Sequence, residues 1–104
     1  MTLYLVRVKW YIIRAMIKTK IKIKNRLGLH ARASAKFVST AAKFQSHLDV
    51  IKGDQTVNGK SIMGVMMLAA NKGTEITLEI EGPDEGAMNE ALTHLINDYF
   101  GEGE

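Results

Sequence analysis

From Ile17 to Lys24 the chain reads IKTKIKIK, with apolar and polar positions alternating for most of its length. A period of two marks a strand with one buried face. Asn25-Arg26-Leu27-Gly28 breaks the alternation with turn residues. From His30 the period lengthens. In HARASAKFVSTAAKF the residues Ala33, Phe37, Ala41 and Phe44 recur at helical spacing, which predicts a helix carrying an apolar stripe. Polar Gln45-Ser46-His47 leads the chain out, placing His47 at the helix end. Leu48 and Val50, with Lys52 after them, predict a short second strand, Gly53-Asp54 a tight turn, and Gln55 to Val57 a third strand.

After the break at Asn58-Gly59-Lys60, Ser61 stands ahead of the apolar run IMGVMMLAA. Ser61 is therefore the expected N-cap of a second helix, which Asn71-Lys72-Gly73 ends. Two of Met63, Met66 and Met67 are expected to fill the core. Alternation returns at Glu75–Glu81, with Ile76, Leu78 and Ile80 on one face and Glu75, Thr77, Glu79 and Glu81 on the other. Gly82-Pro83-Asp84 opens a last helix, with Pro83 at its first position and Asp84 in its first turn. Met88, Ala91, Leu92, Leu95, Ile96 and Tyr99 form its apolar face, and the closing GEGE is expected to fray. The order is strand, helix, strand, strand, helix, strand, helix. Sheets with one wet face bury the other under helices, so a two-layer α+β domain is predicted.

Composition narrows the chemistry. The 104 residues include no cysteine, which removes disulfides, thiolate metal sites and cysteine nucleophiles and fits a reducing cytoplasm. The net charge of +3 is carried by residues 1–15, where Arg7, Lys9 and Arg14 face no acid. That segment is expected to be a disordered leader or the product of an upstream start, with the domain spanning 16–104. Its apolar residues are interrupted by charge, so neither a membrane span nor a signal peptide is expected. Residues 16–104 balance to neutrality but are segregated: basic up to Lys60, acidic from Ser61 on. A neutral body without a basic, aromatic-studded stripe argues against nucleic-acid binding.

There are three histidines. His94 reads as a surface residue of the last helix, and His47 as a cation near a helix C-terminus. No histidine pair has a metal-ligand spacing, so no metal and no cofactor is expected. His30 differs by its place. It follows Gly28 at a loop-to-helix junction, where the first backbone N–H groups lack intrahelical partners and the dipole favours anions. Arg32 is placed to add a charge-assisted contact. A neutral imidazole there is either a nucleophile towards phosphorus, beside groups that would stabilise a phosphoryl group once attached, or a capping histidine with no chemistry.

Gly28-Leu29-His30-Ala31-Arg32 resembles the active-site motif of HPr, the histidine-containing phosphocarrier family of the bacterial phosphoenolpyruvate-dependent phosphotransferase system. Two further stretches agree, Val57 to Met66 with the family's regulatory-serine region and Lys72 to Thr77 with the start of its fourth strand. The resemblance implies a βαββαβα open-faced sandwich whose antiparallel sheet has the order 1-4-2-3, with three helices on one face. It implies that His30 is phosphorylated at Nδ1, that Arg32 contacts the phosphoryl group, and that Ser61 is a regulatory phosphorylation site. Ile62 and Met63 would belong to the docking patch. The implied partners are enzyme I, sugar-specific acceptors and a serine kinase/phosphorylase, and the implied protein is a carrier, not a stand-alone enzyme; a cytoplasmic location and a monomeric state are expected. One departure stands out: the family's motif continues with proline, where this chain has Ala33. A nitrogen-branch regulatory phosphocarrier is the alternative within the family. Outside it, a ferredoxin-like binding module shares the first six elements but requires sheet order 4-1-3-2 and exposed aromatics on its central strands.

Overall fold

A computed structural model describes residues 16–104, and the expectation for residues 1–15 lies outside the described residues. The strands are β1 (Ile17–Lys22), β2 (His47–Lys52), β3 (Gln55–Asn58) and β4 (Glu75–Glu81). The helices are α1 (Ala31–Ala41), α2 (Ile62–Met67) and α3 (Glu85–Asn97), followed by a 3-10 turn over Tyr99–Gly101. The strands form one antiparallel sheet in the order β1-β4-β2-β3. This is the predicted α+β sandwich, and it excludes the ferredoxin-like order.

Register explains the two faces. Ile21 lies opposite Ile76, and Leu48 and Val50 lie opposite Ile80 and Leu78. These side chains are buried against Ala33, Phe37 and Ala41 of α1 and Met88, Leu92 and Ile96 of α3. On the outer face Glu79 sits between Lys18 on one neighbour and Asp49 on the other. Lys18 Nζ lies 3.4 Å from its carboxylate, and His47 Nε2 lies 3.0 Å from Asp49 Oδ1. The wet face is thus a charged lattice, which suits it to solvent.

Several element ends differ from the pattern-based reading. His30 is the N-cap of α1, and the helix stops at Ala41, leaving Phe44 half-buried outside it. His47 opens β2 instead of closing a helix. α2 has only six residues. Its continuation is halted at Ala69, whose φ is +50°, and Lys52 Nζ takes the carbonyl of Leu68 at 2.8 Å. A helix this short buries one side, through Val65 and the following Leu68 and Ala70. Met63, Met66 and Met67 are therefore all exposed, at 68%, 36% and 70%, so none of the three fills the core.

Pro83 lies outside α3, which begins at Glu85 with Asp84 as its N-cap residue. The Asp84 carboxylate turns away from its own helix and accepts from the backbone N–H groups of Gln45 and Ser46, each at 2.9 Å, and from Ser46 Oγ at 2.5 Å. Those bonds staple the start of α3 to the start of β2. The Ser46 and Gln45 bonds, outweighing the opposing effect of desolvation, hold Asp84 below its ordinary value. At the other end α3 stops at Asn97, so Tyr99 leaves the apolar stripe and is exposed, while Phe100 is buried in its place. The closing GEGE does not fray. It folds back towards the start of α1, where the main-chain oxygen of Glu104 accepts from Arg26 N–H at 3.0 Å.

Candidate functional site

The loop before α1 is fixed by backbone bonds. Leu29 N–H donates to Ala70 O at 2.9 Å, tying the loop to the segment after α2. Gly28 carries the bend with a φ of +71°, and its carbonyl accepts from His30 N–H at 2.9 Å and from Asn25 Nδ2 at 2.8 Å. Ser34 Oγ reaches back to Leu29 O at 3.1 Å. With Leu29 buried and Ser34 fully buried, His30 is set at the surface beside the first turn of α1.

His30 caps that helix with its ring. Its backbone is extended (φ −76°, ψ −178°), and Nδ1 accepts from the backbone N–H of Arg32 at 3.2 Å. Nδ1 therefore bears the lone pair, and the proton is on Nε2, which donates to Glu102 Oε2 at 2.6 Å. The other carboxylate oxygen of Glu102 accepts from Asn25 Nδ2 at 3.0 Å. The His30 side chain is 28% exposed and that of Glu102 14% exposed. Partial burial raises the pKa of Glu102, but the Asn25 and His30 hydrogen bonds and the charge of Lys36 together bring it below the ordinary value. Glu102 is a carboxylate at neutral pH.

Around the ring, Arg26, Leu27, Ala31, Arg32, Glu102 and Glu104 line a shallow cleft. Arg26 Nε lies 3.3 Å from Glu104 Oε2. Arg32 is exposed and enters no ion pair among the described residues. The cleft therefore gathers a ring nitrogen, helix-start amides and guanidinium groups at one solvent-facing point, an arrangement suited to an anion.

His30 and Arg32 are thus brought together as the sequence suggested. Ser61 caps α2, with Oγ accepting from Gly64 N–H at 3.0 Å. Ile62 and Met63 lie exposed beside it, at 43% and 68%, and Leu27 at the cleft is 56% exposed. α2 packs on α1, the helix that His30 caps. His94 is exposed, as expected. Asn25 and Glu102 were not foreseen. The only linear hint is the glycines flanking Glu102, which adopt φ values of +74° and +81° and let the tail turn back.

The fold and this site define a small α+β domain that presents a surface histidine at a helix start. A family model described as "PTS HPr component phosphorylation site" matches residues 17–98. The chain is 63% identical over 89 residues to the phosphocarrier protein HPr of Neisseria meningitidis serogroup A, covering 86% of this chain and 100% of that one. The crystal structure of HPr-C-His from Thermoanaerobacter tengcongensis superposes with a TM-score of 0.80 at 48% identity, covering 83% of this chain and 97% of the other. An HPr dimer from the same organism superposes with a TM-score of 0.68 at 50% identity, covering 79% and 94%. The chain belongs to the HPr family, the phosphocarriers of the phosphotransferase system.

Proposed function

We propose that His30 accepts a phosphoryl group from phosphorylated enzyme I and hands it to sugar-specific acceptor proteins. The observation that carries this reading is the ring's orientation: Nδ1, unprotonated, faces the first-turn amide of Arg32 at the rim of an arginine-lined cleft. The Nδ1 pair lets go of the Arg32 N–H and attacks phosphorus in line. The donor's N–P bond breaks and its ring keeps the electrons. The Arg32 guanidinium and the amides at the start of α1 hold the phosphoryl oxygens, weakly enough in an exposed site for the group to leave again. Ala33 in the position of the family's proline retains one more N–H in that first turn.

The exposed Ile62 and Met63 support a docking role, since apolar side chains, flexible Met above all, suit a surface that meets several partners. Ser61 is the proposed regulatory site for a serine kinase/phosphorylase. A phosphoserine at the N-cap of α2 places about −2 charge beside that patch and repels acidic partner surfaces. The carrier is proposed to work as a cytoplasmic monomer, which leaves the cleft open to each partner in turn. No helix of the described residues is long and apolar enough to cross a membrane.

Incubation with phosphoenolpyruvate and enzyme I tests the relay. The expected product is an acid-labile phosphoprotein whose phosphorus NMR signal is that of a ring nitrogen and which discharges to a sugar-specific acceptor. Equal labelling of a His30→Ala variant would overturn the assignment.

A further inference from the structure

Glu102 lies 72 residues from His30 in the chain, yet its carboxylate makes the shortest polar contact in the cleft, 2.6 Å to Nε2. That contact is built, not incidental. The second oxygen is held by Asn25, whose amide also clamps the Gly28 carbonyl. Lys36 Nζ grips the carbonyl of Phe100 at 2.8 Å, and buried Phe100 anchors the tail just ahead of Glu102. Arg26 holds Glu104 beyond it. Three consecutive residues, Tyr99, Phe100 and Gly101, adopt left-handed backbone angles (φ 59°, 54° and 74°) to make the return. Such angles are unfavourable for non-glycine residues, so the surrounding contacts must hold them.

A carboxylate beside an anion-accepting site is at first sight misplaced, because it repels an incoming phosphoryl group. Its position on the ring resolves this. It contacts Nε2, the nitrogen that does not react in the proposed relay. We propose that Glu102 is a positioning residue that keeps the proton on Nε2 of His30 throughout the transfer cycle. The inference rests on the phosphocarrier reading and deepens it.

The atoms balance without any proton moving. Neutral His30 carries hydrogen on Nε2 and a pair on Nδ1. When that pair bonds to phosphorus, the donor ring leaves with the electrons of the broken N–P bond. His30 becomes an N-phosphorylated imidazolium, whose positive charge lies against the Glu102 carboxylate. When an acceptor nucleophile attacks phosphorus, the N–P pair returns to Nδ1 and neutral imidazole is regenerated, still protonated on Nε2. Without that proton the leaving group would be an imidazolate, a far poorer one. The charged groups facing the ring and the carboxylate are Arg26, Arg32, Lys36 and Glu104. The cations are suited to the phosphoryl oxygens and the tail, and among the described residues Glu102 alone contacts Nε2.

The test uses the full chain and its Glu102→Gln and Glu102→Ala variants. In the unphosphorylated, nitrogen-15-labelled protein, the Nε2-bound proton of His30 should be visible and protected from water. It should be lost to exchange in both variants. After charging by enzyme I and phosphoenolpyruvate, hydrolysis and discharge to an acceptor are followed as a function of pH. At mildly alkaline pH both variants should release the group roughly three- to tenfold more slowly, the effect of removing a partly exposed opposite charge. The difference should vanish in acid, where water supplies the proton. Wild-type ring signals and pH–rate curves in the variants would overturn the proposal, even if the tail unfastened and thermal stability fell. Failure of the wild-type chain to charge would count against the relay itself, while the Nε2 proton signal would still judge the role of Glu102.

Discussion

Replacing Gly28 with alanine tests how the loop seats His30. Gly28 has a φ of +71°, where an added Cβ would stand 2.5 Å from the Ala70 carbonyl oxygen and 2.9 Å from Asn71 Cα. Both neighbours are backbone atoms, so no side chain can swing aside. The left-handed angle alone costs an L-residue about 1–2 kcal/mol. Relief of the overlap must push the loop from Ala70, whose oxygen receives the Leu29 N–H at 2.9 Å. Leaving that donor unpaired costs about 1–3 kcal/mol more. The expected destabilisation is about 3–4 kcal/mol, the sum of the two effects near the middle of their ranges. Gly53→Ala is the internal control. Its φ is +59°, but an added Cβ meets nothing within 4 Å, so only the angle contributes, about 1–2 kcal/mol. Urea unfolding of both variants, compared at a common slope, measures the difference. Phosphorylation of folded Gly28→Ala by enzyme I should also slow, because the displaced loop carries His30. Equal stability losses at Gly28 and Gly53 would refute the close-approach argument and leave the backbone angle as the whole reason for glycine.

Ser61→Ala should destabilise the domain by about 1 kcal/mol through loss of the cap on Gly64 N–H, read as a lower urea midpoint. Phe37→Ala should lose about 3–5 kcal/mol in the same assay, because the ring is fully buried between sheet and helices. Asp84→Asn should weaken the staple between α3 and β2 in a pH-dependent way. The folded-state pKa of Asp84 lies below its ordinary value of 3.8, so its ionised form contributes stability above that value and loses it as pH falls through the lower folded one. The gap between wild type and variant, followed by thermal melting, should therefore be full at neutral pH and close in strong acid.

Strands β1 and β4 were legible because their alternation is carried by neighbouring residues and survives any packing. The start of α1 was legible for the same reason: Gly28, His30 and Arg32 are close in sequence, and a loop entering a helix creates its own unpaired amides. The length of α2 was not, because its stop depends on Lys52 reaching the Leu68 carbonyl from another strand. The outward turn of three methionines follows from that short helix, which has only one side against the core. Asp84 reads locally as a helix-start acid, but distant Ser46 draws its carboxylate away. Glu102 is the clearest case. Its tail reads as fraying by composition, yet Asn25, Lys36, Arg26 and the burial of Phe100 together fold it onto His30. Local pattern determined the elements and placed His30 at a helix start; the ring's second partner was decided by contacts between residues far apart in the chain, whose energies exist only once the core has brought them together.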